Sequence, residues 1–130
     1  MLKQIILNFA FGLVVGYLFE FLYRSIDRHR FVKPLFVNVL LYSVVTVLLF
    51  LLSLFGIHIA MRLALIGLIP TTVELIVGYG YFMTKGIRLW DYSDMSFNYR
   101  GFICLEFSVY WAILSLIYYY FIIPRISFLL

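Results

Sequence analysis

Charge is scarce in this 130-residue chain, where Asp, Glu, Lys and Arg together make up 12% against about 25% in ordinary soluble domains. Hydrophobic residues reach 65%, where roughly 45 to 50% is usual, so a soluble monomer is excluded. Cysteine occurs once, at Cys104, which excludes an internal disulfide. Two histidines beside one cysteine give no zinc-binding spacing, so no metal site and no cofactor are expected. No G-x-x-x-x-G-K-[ST] occurs, so any ATP-driven process would require a separate ATPase subunit. Lys and Arg outnumber Asp and Glu by 10 to 6, but they lie almost wholly between apolar runs. There they read as topology signals facing lipid headgroups, not as a nucleic-acid footprint.

What the chain has in abundance is long apolar runs. Gln4 to Tyr23, Leu35 to Ala60, Leu63 to Thr84 and Phe102 to Ile123 are each about as long as a membrane helix needs. The expected fold is an all-α integral membrane protein, a four-transmembrane-helix bundle forming a single domain over residues 1–130. The first run is longer than a signal-peptide core, contains Glu20 and lacks a small-x-small cleavage site, so it reads as a span. Pro124 is expected to close the last.

Sorting the basic residues puts Arg24, Arg28, Arg30, Lys33, Lys85, Arg88 and Arg100 on one side, and Lys3, Arg62 and Arg125 on the other. The positive-inside rule then places segments 24 to 34 and 85 to 101 in the cytoplasm and both termini outside. Spans one and three each carry a glutamate after small residues, Gly12, Gly16, Glu20 in one and Gly67, Pro70, Glu74, Gly78 in the other. That match suggests a two-plus-two repeat whose halves run in the same direction.

The residues that could carry chemistry are Glu20, Glu74 and Glu106, all inside spans. An acid at the centre of a membrane helix costs about 2.5 to 3.5 kcal/mol on insertion scales, so these side chains need partners, protonation or water. At about 1.5 Å per residue, Glu20 and Glu106 lie about 5 and 6 Å from the cytoplasmic ends of their spans, and Glu74 about 15 Å down its own. One reading is a cytoplasm-facing funnel with Glu74 at its floor, suited to protonation, cation binding or an amine-bearing substrate. The other is that each acid pairs with a basic neighbour, as Glu20 would with Arg24, and locks helices together. Glu74 has no basic residue within four positions. Gly12 and Gly16 form a G-x-x-x-G pair for close helix approach, with Gly78 and Pro70 as further packing positions. Pro70 removes the bond to the Ile66 carbonyl, which either stays free to bind a cation or water, or is satisfied by Thr71 or a neighbouring helix.

The segment Lys85 to Gly101 is too polar to span and too aromatic for a free linker. Trp90, Tyr92, Phe97 and Tyr99 are expected at headgroup level, with Ser93 and Asn98 in the same interface loop. Arg88 and Arg100 would meet lipid phosphates or turn inward to the glutamates, and Asp91 and Asp94 would cap a short helix or pair with those arginines. His29 and His58 are expected to be solvated or to face headgroups, and Cys104 to pack rather than react.

Trp90-Asp91-Tyr92-Ser93, then Phe97-Asn98, Gly101-Phe102-Ile103-Cys104 and Phe107-Ser108 with Trp111, resembles the ABC-transporter type IV membrane family, also called CmpB-like. The glutamate-bearing first and third spans are similar too, and the likeness covers most of the chain. Where members carry an Arg-Gly turn and a Gly-Pro-x-x-Pro-x-Tyr-Gly stretch, this chain has Arg30-Phe31-Val32-Lys33-Pro34-Leu35-Phe36. The resemblance implies transport, and it supplies no catalytic residues to carry over.

The leading expectation is therefore a permease or transport-complex subunit with a cytoplasm-facing acidic site, in the plasma membrane of a bacterium. Four spans are few for a pathway, so a homo-oligomer or a larger membrane-protein partner is expected, and an ATPase subunit for an ABC system. Two alternatives stay open. One is a small membrane enzyme acting on lipid or an isoprenoid-linked substrate, though no paired acidic or histidine motif favours it. The other is a non-catalytic accessory or assembly subunit.

Overall fold

The computed structural model describes residues 1–28 and 35–129. His29, Arg30, Lys33 and Pro34 lie outside the described residues, as does the side chain of Arg28. The chain is an all-α four-helix bundle with four helices long and apolar enough to cross a membrane. Helix α1 covers Leu2–Arg28, α2 Phe36–Ser53 and α3 Ile59–Lys85. The fourth helix is made of α4 (Leu105–Ile117), a π-helical turn (Tyr118–Ile122) and α5 (Ile123–Phe128). At about 1.5 Å per residue these run from about 27 to 40 Å, close to or longer than a hydrocarbon core of about 30 Å. The chain is an integral membrane protein, and side chains such as Leu18, Leu68, Ile76 and Ile113 present apolar surface on the outside of the bundle.

The second and fourth spans end elsewhere than the sequence expectation, each for a local reason. The second helix stops at Ser53, whose hydroxyl donates to the Phe50 carbonyl, and residues 54–58 turn through Gly56. His58 then opens α3, its Nδ1 accepting from the Ala60 N–H at 3.2 Å. This exposed histidine is a helix cap. The fourth helix does not close at Pro124. The Ile123 N–H reaches back to the Tyr118 carbonyl, a widened turn that leaves Pro124 in the first turn of α5, where its missing N–H costs no helical bond.

Helix α1 packs most closely on α2, and the glycines are the reason. A Cβ at Gly12 would stand 2.5 Å from Ser43 Cα, and one at Gly16 would stand 2.8 Å from Tyr42 Cβ. The Gly12/Gly16 face is thus filled by α2 of the same chain and is closed to a partner helix. A polar seam runs beside it. Ser43 Oγ donates to the Phe9 carbonyl at 3.0 Å and Thr46 Oγ1 to the Asn8 carbonyl at 2.8 Å. The Asn8 side chain donates to Gln4 and accepts from the Tyr118 hydroxyl, tying the two ends of the chain together. Around the seam, Val45, Leu49, Phe50, Ile66 and Ile123 form the apolar core.

Helix α3 runs unbroken through the buried Pro70, with Gly67 set against α4, where an added Cβ would stand 3.7 Å from Ala112 Cβ. The Thr71 hydroxyl is buried without a partner, so it does not satisfy the carbonyl that Pro70 leaves. The helix ends at Gly86, whose φ of +67° and N–H bond to the Phe82 carbonyl make a left-handed cap. The chain then returns through a loop and a two-stranded antiparallel hairpin, β1 (Asn98–Tyr99) and β2 (Ile103–Cys104), pairing Asn98 with Cys104. Cys104 is buried in β2.

Candidate functional site

The loop between α3 and α4 folds back onto the bundle, and that return builds the site. Trp90 comes first. Its indole N–H donates to the Phe102 carbonyl at 2.7 Å, and its ring lies against Gly78, where a Cβ would meet Cζ2 at 2.8 Å. Only glycine leaves room for the ring there. Two residues on, Tyr92 stacks on Phe107 with centroids 4.8 Å apart and donates its hydroxyl to Glu74 Oε1 at 2.7 Å. Burial, and then the neighbouring Glu74 carboxylate, push the Tyr92 hydroxyl above its ordinary range, which keeps it a donor.

The loop's other polar residues hold this geometry from outside. Asp91 Oδ1 accepts from the Ser93 N–H at 3.0 Å, and hydrogen bonding from Ser93, with Arg88 adding to it, holds the Asp91 carboxyl below the usual aspartate range. Asn98 donates to the Met95 carbonyl at 2.9 Å and accepts from the Gly101 N–H at 3.0 Å. Gly101 has φ +75°, and a Cβ on it would meet Asp91 Oδ1 at 2.6 Å. Phe97 and Tyr99 point outward, Phe97 being 82% exposed, while Trp90 and Tyr92 turn inward. The four aromatics expected at headgroup level thus divide into two pairs.

Glu20 and Glu74 line one cavity of about 240 Å³ between α1, α2, α3 and α4. Glu20 Oε2 accepts from Arg24 Nε at 3.1 Å and from Asn38 Nδ2 at 3.2 Å, so this acid is paired on its own helix and tied to α2. Glu74 is different. It is 3% exposed, Tyr92 takes Oε1, and Oε2 has no hydrogen-bond partner. The Trp111 indole stands near this carboxylate without satisfying Oε2. Asn38, 4% exposed, likewise leaves Oδ1 without a partner.

Glu106 does not line the cavity. It is exposed in the first turn of α4 and accepts from the Tyr110 hydroxyl at 2.9 Å. Arg88 and Arg100 are outside as well. Arg88 lies over the Phe82 and Phe102 rings, at 4.9 and 4.5 Å, donates to the Arg100 carbonyl and stands 3.9 Å from Asp91. Arg100 lies over Tyr99.

Asn38, Tyr42 and Trp111 complete the cavity without having been marked by sequence reasoning as site residues. An amide inside an otherwise charge-free run was the available signal for Asn38. Tyr42 and Trp111, with ring centroids 4.8 Å apart, also line a second cavity of about 210 Å³. That one is apolar, with Val15, Val45 and Leu49 in its walls. The Tyr42/Trp111 pair therefore forms part of the wall of both.

No curated protein and no solved structure matches the chain. A family model described as "Putative ABC-transporter type IV" does match, over residues 7–130. The block from Trp90 to Trp111 that folds back onto Glu74 lies wholly inside the matched region, as do Glu20 and Asn38. The chain belongs to this ABC_trans_CmpB family of membrane transport-related proteins.

Proposed function

We propose that the chain is a permease or transport-complex subunit of a bacterial plasma membrane, whose acidic cavity opens to the cytoplasm. One observation carries the reading. Glu74 is buried in a membrane-spanning helix, lines a cavity and keeps one carboxylate oxygen unpartnered. Burying an acid in this way is costly, and such sites in membrane proteins mark ion and substrate paths. The second cavity, beyond the Tyr42/Trp111 pair, supports a path that continues from the first toward the opposite face. The excess of Lys and Arg in segments 24 to 34 and 85 to 101 of the sequence supports a cytoplasmic opening.

Four helices are few for a transport path, so on this reading the working unit includes either further copies or a larger membrane partner, together with an ATPase subunit. The pairing of α1 with α2 and of α3 with α4, with one cavity-lining acid in each pair, accords with a two-plus-two repeat. An enzyme acting on phosphate-bearing lipid is favoured by nothing in the site. Arg88 and Arg100 are outside the cavity, and Arg24, the arginine in its lining, is paired with Glu20.

The test is purification from the native membrane in mild detergent, followed by reconstitution of whatever assembly is recovered. ATP-dependent uptake that Glu74→Gln removes would support the reading. Uptake indifferent to Glu74→Gln would leave the chain an accessory subunit.

A further inference from the structure

We infer that the Glu74 cavity binds a small organic cation carrying at least two N–H donors, a primary ammonium or an amidinium-type group, on an aromatic or apolar body. The inference rests on the proposed acidic site and names its ligand class. It starts from two of the buried oxygens that lack a partner among the described residues, Glu74 Oε2 and Asn38 Oδ1. Both residues line the same cavity, and both oxygens are acceptors. The orientation of Asn38 follows from its own bond, because its Nδ2 is committed to Glu20 and Oδ1 is left as the free end. Unpaired buried acceptors are uncommon in folded proteins, and two on residues that line one cavity call for a donor.

Charge and lining narrow the class. Among the described residues one arginine and two carboxyl groups line the cavity, and that arginine is already paired with Glu20, so Glu74 is the group left for a cation. The remaining walls are largely aromatic, with Tyr42, Trp90, Phe107 and Trp111 among them, and ring faces attract cations. A divalent metal ion asks for about six oxygen ligands, whereas two are unpartnered here. A quaternary ammonium would meet the rings but donate nothing to the oxygens. The volume of about 240 Å³ is below the range of about 300 to 1,000 Å³ typical of drug-sized sites, which limits the ligand to a small one.

Both tryptophans of the chain, Trp90 and Trp111, line this cavity, so intrinsic fluorescence reports on it directly. The full-length protein in lipid nanodiscs is titrated with benzylammonium, benzyltrimethylammonium, benzyl alcohol, sodium and magnesium chlorides. Benzylammonium should give a saturable change, weakened about 10- to 100-fold by Glu74→Gln, and benzyltrimethylammonium should bind at least about tenfold more weakly. Equal binding of the trimethyl compound, equal binding of benzyl alcohol, or a benzylammonium signal unaltered in Glu74→Gln would overturn the inference. The comparison among ligands uses the unmodified chain, so it stands even if the variant fails to fold. A Glu74-dependent change with sodium or magnesium in place of benzylammonium would overturn the ligand class while leaving the acidic site intact. No Glu74-dependent change with any cation would overturn both.

Discussion

The hydroxyl of Tyr92 donates to Glu74 Oε1 at 2.7 Å, joining the loop after α3 to the interior of that same helix across 18 residues of sequence. The bond divides the carboxylate of this cavity-lining residue into one oxygen held by the protein and one buried without a partner.

Removing that donor tests how far the loop depends on it. Tyr92→Phe keeps the stacking on Phe107 and leaves both Glu74 oxygens without a partner. It should destabilise the fold by about 1 to 3 kcal/mol. Unfolding in mixed micelles measures this, and the double variant Tyr92→Phe/Glu74→Leu should be less destabilised than the two single losses summed. Strict additivity would mean that the bond contributes nothing.

Gly16→Leu should separate α1 from α2 within a single chain, because a Cβ there would already stand 2.8 Å from Tyr42 Cβ and 2.9 Å from the Val39 carbonyl. Gly80→Ala is the matching control. Nothing lies within 4 Å of its added Cβ, and relief of glycine's helix penalty should stabilise the protein by about 0.5 to 1 kcal/mol. Thermal unfolding at two protein concentrations distinguishes an intramolecular contact, which gives the same loss at both, from one between chains.

Four spans could be read from the sequence because apolar runs of about twenty residues have few other uses. Glu74 stood out for the same reason, as an acid where acids are expensive. The return of Tyr92 onto it could not be read. Loop polarity and aromatic content describe a headgroup segment equally well, and only the Gly78 notch that admits Trp90 decides that the loop turns inward. Asn38 and the Asn8–Tyr118 bond were hidden because a lone amide in an apolar run carries no spacing signal, and the second pair is separated by 110 residues.

Gly78→Ala should push Trp90 out of its notch, since the new methyl would stand 2.8 Å from Cζ2. In a Trp111→Phe background the emission of Trp90 should shift to the red as the ring meets water or headgroups. Unshifted emission would mean that the ring is not held there.

The Asp91 carboxyl is held low by Ser93, so its contribution to loop order is present above the ordinary aspartate pKa of about 3.9 and is lost as pH falls through the lower folded value. Hydrogen exchange at the Ser93 amide should accelerate in that acid range. Asp91→Asn should make the exchange independent of pH there, apart from the intrinsic chemistry.

Orientation is checked with single cysteines at Ser96 and Ser127, both exposed, in a Cys104→Ser background. A membrane-impermeant thiol reagent should label Ser96→Cys from the cytoplasmic side and Ser127→Cys from the other. Labelling of both from one side would contradict the arrangement that the basic residues favour.

Uptake by the reconstituted assembly, compared for Glu74→Gln and Glu20→Gln, bears most directly on the role of the cavity. Glutamine at position 74 keeps the size and an acceptor for Tyr92 while removing the acid, whereas at position 20 it weakens the ties to Arg24 and Asn38. Glu74→Gln should fold normally and lose uptake, and Glu20→Gln should lose stability while the folded fraction still transports. Full uptake by Glu74→Gln, at the same pH dependence as the unmodified assembly, would contradict a functional role for this acid.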